Sequence, residues 1–93
     1  MNKARKDDIV VKKLKDETLI YDLKENKAYC LNETSAMVWR LCDGKRSAVE
    51  IAEEISRELG VTTKKHFVLV ALDQLDKNNL LEDKEKGYLA GLS

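Results

Sequence analysis

Glycine is scarce in this 93-residue chain, with only four copies, and proline is absent. Four glycines leave little to build a phosphate cradle, and no G-x-x-x-x-G-K-[ST], G-x-G-x-x-G or G-x-S-x-G occurs. The only cysteines, Cys30 and Cys42, stand twelve positions apart with no C-x-x-C or Cys/His cluster, so a four-ligand zinc site is not expected. Both cysteines read as small buried hydrophobes in a reducing compartment. The single histidine, His66, falls on the polar side of a helix beside Lys64 and Lys65 and reads as a surface residue. No metal, cofactor or catalytic constellation emerges. The longest uninterrupted apolar stretch, Phe67 to Leu72, is far short of the roughly 20 residues of a membrane span. No charged leader with an apolar core opens the chain, so the expected location is cytoplasmic.

Charge, in contrast, is abundant: 37% of residues are charged, with 17 basic and 17 acidic side chains and no formal net charge. Leu, Ile, Val and Phe supply 25 residues, enough apolar content for a folded chain. The length allows one domain with one modest core, which favours a binding surface over an enclosed active site.

Residues Met1 to Asp8 are polar and read as a flexible basic arm. Three short apolar runs follow, Ile9–Leu14, Thr18–Leu23 and Lys27–Leu31. The second alternates Leu19, Tyr21, Leu23 against Thr18, Ile20, Asp22, and the third sets Tyr29 and Leu31 against Ala28 and Cys30. This period of two predicts half-buried strands, and loops this short predict an antiparallel meander with the third strand at an edge.

At Asn32 the period changes. Asn32 is a good N-cap, Leu31 and Ala36 are placed as a hydrophobic staple, and Asp43-Gly44 gives a stop. Ala36, Met37, Val38, Trp39, Leu41 and Cys42 cover almost the whole wheel, so this first helix is predicted to be central, with Trp39 in the core. Ser47-Ala48-Val49-Glu50 has capping-box spacing and opens a second helix that buries Ala48, Ile51, Ala52, Ile55 and Leu59 and stops at Gly60. A third helix is predicted over Thr63 to Asn78, with Phe67, Val68, Ala71, Leu72 and Leu75 on its apolar arc. Leu69 and Val70 fall outside that arc. Residues 83–93 read as a wing or tail. The fold class is therefore α+β, winged helix-turn-helix-like, with a three-stranded antiparallel sheet followed by three helices.

Helices two and three, joined by Gly60-Val61-Thr62, raise the alternative of a winged-helix DNA-binding transcription regulator. The charge pattern opposes it. Residues 1–15 carry +4, 16–32 carry −2, 33–60 carry −2 and 61–93 carry none. The recognition helix would set Asp73 and Asp76 among Lys64, Lys65 and Lys77, whereas a nucleic-acid reader concentrates cations on its recognition face. Only the basic arm from Lys3 to Lys15 favours nucleic acid. A small interaction module or antitoxin-like partner is the third candidate.

The run Leu31-Asn32-Glu33-Thr34-Ser35-Ala36, then Val38-Trp39, Leu41-Cys42-Asp43-Gly44 and Ser47 with Glu50-Ile51-Ala52, resembles the PqqD family of peptide chaperones, across about Ile9 to Leu81. That resemblance implies a PqqD-like peptide-binding domain over residues 9–82. It implies a non-catalytic leader-peptide recognition element that presents a precursor peptide to a modifying enzyme, such as a radical SAM protein or a leader peptidase. Members dedicated to quinone synthesis tend to carry a Pro-Glu-Gly-type turn between strands two and three. This chain has Lys24-Glu25-Asn26 there, which points to another peptide pathway, such as a lasso peptide or radical-SAM-modified one.

An edge strand can hold an extended peptide by adding it to the sheet. The expected peptide-binding residues are Lys27, Ala28, Tyr29, Cys30 and Leu31 of strand three, with Phe67, Val70, Asp73, Gln74 and Lys77 of helix three. Val70 beside Gln74 and Lys77, with Phe67 near the rim, makes the expected groove; Leu69, Asp73 and Asp76 form the opposite flank. The same edge would also allow a homodimer.

Overall fold

A computed structural model describes residues 3–82. The strands are β1 (Ile9–Lys13), β2 (Glu17–Asp22) and β3 (Lys27–Asn32), and the helices are α1 (Glu33–Leu41), α2 (Ala48–Leu59) and α3 (Lys65–Lys77). The strands form one antiparallel sheet in the order β1-β2-β3, and the fold is α+β as expected.

Local chemistry explains the boundaries. The side chain of Asn32 accepts the Ser35 N–H at 2.8 Å and opens α1. Ser47 and Glu50 form the reciprocal capping box of α2, and Gly60, at φ +70°, closes that helix in the left-handed region. The β2–β3 turn is held by Asp22, whose Oδ1 accepts the N–H groups of Lys24 and Glu25 at 3.1 Å, with Asn26 at positive φ. Helix α3 starts two residues later than expected. Its N-cap, Lys64, makes no side-chain capping bond.

The core forms where α1 packs against β2 and β3 on one side and α2 and α3 on the other. Met37, Val38, Trp39, Leu41 and Cys42 are buried, and so are Ile51, Ile55, Val68, Leu72, Leu75, Leu80 and Leu81. The Trp39 indole N–H donates to the Leu80 carbonyl at 3.0 Å, which satisfies its one polar atom inside the core. The sheet buries the face opposite to the one that alternation in β2 suggested. Ile20 and Asp22 point inward, and Tyr21 and Leu23 are exposed. The registration of Ile20 with Tyr29 and of Thr18 with Leu31 puts them on the helix side, where Leu31 is buried.

Asp22 faces inward because Arg5 meets it there. The guanidinium donates to both carboxylate oxygens at 2.7 and 2.8 Å and to the Asn79 carbonyl at 3.0 Å. This fork holds the Asp22 carboxyl well below the usual carboxylate range. The flexible arm expected for residues 1–8 therefore needs correction over Lys3 to Arg5. Ala4 is buried, its N–H donates to the Cys42 carbonyl, the Arg5 N–H donates to the Leu80 carbonyl, and Glu82 N–H donates to the Lys3 carbonyl. The segment is stitched to distant parts of the chain, and such pairing leaves no local periodicity to read. The expected wing or tail, residues 83–93, lies outside the described residues.

Candidate functional site

Which backbone groups of the sheet remain free follows from the ladder. The Leu23 N–H donates to the Asp8 carbonyl and the Leu14 N–H to the Glu17 carbonyl. Hydrogen-bonded pairs alternate in antiparallel sheets, so Glu17, Leu19, Tyr21 and Leu23 bond toward β1, and Thr18, Ile20 and Asp22 toward β3. Lys27, Tyr29 and Leu31 therefore spend their backbone groups on β2. Ala28 and Cys30 turn theirs to the open edge, where the described residues offer no partner. Of the five strand residues expected to bind a peptide, two offer free backbone and three stand beside it with side chains alone.

Beyond this edge lies an apolar groove of about 570 Å³. Thr34 of α1, Leu59, Val61, Thr62 and Thr63 of the α2–α3 connection, and Lys64, His66, Phe67 and Val70 around the start of α3 line it. Thr34 lies two residues past β3, so the groove opens where the free edge ends. The connection is fixed by Ser56, whose hydroxyl donates to the Ala52 carbonyl and accepts the Thr63 N–H, both at 2.8 Å. That tie holds Val61 out at 60% exposure beside Phe67 at 45% and Val70 at 46%.

The expected helix residues divide. Phe67 and Val70 line the groove, and Leu69 instead packs against the core. Asp73 and Lys77 form an ion pair with each other at 2.9 Å, one helical turn apart, and do not line the groove; neither does exposed Gln74. Helix α1 packs against both β3 and α3 and joins the strand to the helical layer. Thr34, Leu59, Val61 and His66 were missed as lining residues. An apolar residue just after a helix-stopping glycine was the available signal for Val61. No acidic residue occupies the first turn of α3, and Lys64, Lys65 and His66 cluster there, so the helix entrance is electropositive.

The two cysteines differ. Cys42 is buried as expected, and burial pushes its thiol up to about 12. Cys30 is exposed, which corrects the expectation for it, because its position in β3 faces away from the helices. Its thiol donates to the Glu17 carboxylate across the sheet, and that bond raises its pKa. Among the described residues no three His, Cys, Asp or Glu side chains gather as a metal site, and no helix is long and apolar enough to cross a membrane.

A sheet with an open edge beside a hydrophobic groove defines a class of small strand-and-helix modules. The family model for coenzyme PQQ synthesis protein D (PqqD) matches residues 17–81, and the chain belongs to that family. A solved structure described as TbiB1 in complex with the TbiA(beta) leader peptide superposes with a TM-score of 0.69 at 22% identity, covering 90% of this chain and 99% of the other. The chain matches no curated protein.

Proposed function

We propose that the chain is a non-catalytic module that captures the leader segment of a ribosomally made precursor peptide and presents it to a modifying enzyme. A radical SAM maturase or a leader peptidase is the expected type of enzyme. The observation that carries this reading is the free β3 edge opening onto the apolar groove of Leu59, Val61, Phe67 and Val70. A leader adds as a fourth strand to Ala28 and Cys30, and its apolar side chains enter the groove. Backbone pairing supplies affinity without sequence information, and the groove supplies selectivity. Membership of the PqqD family and the leader-bound state of the TbiB1 structure support the same reading. Lys24-Glu25-Asn26 in the β2–β3 turn favours a pathway other than quinone synthesis.

The DNA-binding alternative has little to stand on. Asp73 and Asp76 lie on α3, and Asp73 takes Lys77 out of play as a phosphate contact. Titration with the leader of a precursor encoded nearby, and separately with duplex DNA at two salt concentrations, tests both. The expected result is micromolar or tighter leader binding, about 8 kcal/mol. Steeply salt-dependent DNA binding with no leader binding overturns the proposal.

A further inference from the structure

The sheet has a second free edge. By the same alternation, Ile9, Val11 and Lys13 direct their backbone N–H and C=O groups outward from β1, where no described residue meets them. Helix α1 packs against β2 and β3, so the helix-facing side of β1 overhangs. Val11 faces that side in register with buried Ile20, yet is 47% exposed. Beneath the overhang is a cleft of about 540 Å³ whose walls include Val11 and Lys13 of the strand and Met37, Trp39 and Arg40 of α1.

We propose that β1 is a second docking edge that takes an extended, acidic segment of a partner protein as an added strand. Charge selects this occupant. From Ile9 to Lys15 the chain carries Lys12, Lys13 and Lys15 and no acid, and none of these lysines makes an ion pair with a described residue. Nearby Lys6 lies 4.0 Å from the centre of the Trp39 ring, also without a carboxylate. The cleft behind the strand is balanced in charge: Asp16, Glu17, Glu33 and Glu58 line it with Lys6, Lys13, Lys15 and Arg40. Of these acids Glu58 is engaged by Arg40 at 3.0 Å and Glu17 by the Cys30 thiol, so the selection rests on the strand's own Lys12 and Lys13. An added strand meets β1 side chains first, at about 5 Å across the ladder. Carboxylates opposite Lys12 and Lys13 are therefore favoured, and apolar residues opposite Val10 and Val11.

Lysines on an edge usually keep other strands away. Here two copies of β1 would bring four lysines to one short ladder with no carboxylate to offset them, whereas an acidic strand supplies the opposite charge. The edge stands apart from β3, so the chain has room for a leader on one side of the sheet and a partner, such as the modifying enzyme, on the other.

The test is NMR shift mapping on the full chain with a short blocked peptide containing Glu-Glu-Val-Val, a Lys-Lys-Val-Val counterpart, and the leader. The acidic peptide is expected to shift the amides of Ile9, Val11 and Lys13 and the Trp39 indole, and the basic peptide is not. The double variant Lys12→Glu, Lys13→Glu should weaken the acidic peptide at least tenfold and change leader affinity less than twofold. Equal shifts from both peptides, shifts at Ala28 and Cys30 instead, self-association through β1, or no shifts at millimolar peptide each overturn the proposal. Failure of the leader to bind at β3 would be read at Ala28 and Cys30 and leaves the β1 result standing.

Discussion

The two edges of the sheet are built from the same backbone geometry and finished differently. At β3 the outward groups belong to the small residues Ala28 and Cys30, and the chain turns at once into α1. That places the first turn of a helix, and beyond it Phe67 and Val70, beside the edge. At β1 the flanking side chains are lysines, and α1 lies over the other two strands. Connectivity makes the difference: Asn32 both ends β3 and caps α1, so the strand leads directly to Thr34 in the lining of the apolar groove, whereas the cleft behind β1 mixes apolar and charged side chains. A free edge by itself selects nothing. What stands next to it decides what it accepts.

The largest effect is expected where both edges share a support. Asp22 pairs across the sheet with Ile9 and Lys27 and is held by Arg5. Replacing Arg5 with Met leaves a buried carboxylate without its cation and should lower the unfolding midpoint by on the order of 10 °C in a chain of this size. The pH dependence has a definite sign. The Asp22 pKa is lowered in the folded state, so its stabilisation is present above the ordinary carboxylate pKa of about 3.9 and is lost as pH falls toward the folded value. Thermal melts between neutral and acid pH should show this loss in the wild type. Asp22→Asn should be less stable at neutral pH and flatter across the acid range.

The next effect separates the edges. Proline is tolerated at an edge position whose N–H faces outward, but it removes that donor and obstructs an added strand. Cys30→Pro should weaken leader binding about a hundredfold, or about 2.7 kcal/mol, and Cys30→Ala should leave it nearly unchanged. Val11→Pro on the opposite edge should change it less than twofold. Calorimetric titration checks all three, and equal losses at both edges would remove the distinction between them. A smaller effect belongs to the groove. Val70→Asp should weaken the leader about tenfold, with the thermal midpoint nearly unchanged because Val70 is exposed.

Much of the fold was legible in the sequence, because caps and periodicity are local. Asn32, the Ser47–Glu50 box and Gly60 mark their helices to within a residue or two, and Trp39 reads as core from an all-apolar wheel. Strand β2 misled because its alternation is nearly balanced, and Asp22 looks like an outward residue until Arg5, seventeen positions away, is seen to neutralise it. Ala4 was illegible for the same reason, since its contacts are to Cys42 and Leu81. Of the candidate site, the β3 edge and the Phe67–Val70 face could be read. Thr34 could not, because it enters through a helix start, and for Val61 the one local signal was its place just after Gly60.

The smallest effect concerns chemistry at the β3 edge itself. Cys30 is exposed and would be the first thiol to react, but its hydrogen bond to Glu17 and the nearby negative charge favour the protonated form. Alkylation at neutral pH should therefore be slow at Cys30 and slower still at Cys42, whose burial holds its thiol near 12. Glu17→Gln removes the charge and should speed Cys30 alkylation by a few-fold, with no change at Cys42. If strand addition occurs at β3, saturating leader should slow Cys30 alkylation in both forms, because the added strand would cover the edge that carries the thiol. A peptide on β1 would lie one strand further away, across β2, and should leave the rate unchanged. Mass-spectrometric counting of modified thiols over time, with leader, with the Glu-Glu-Val-Val peptide and with neither, reports which edge is occupied without altering either one.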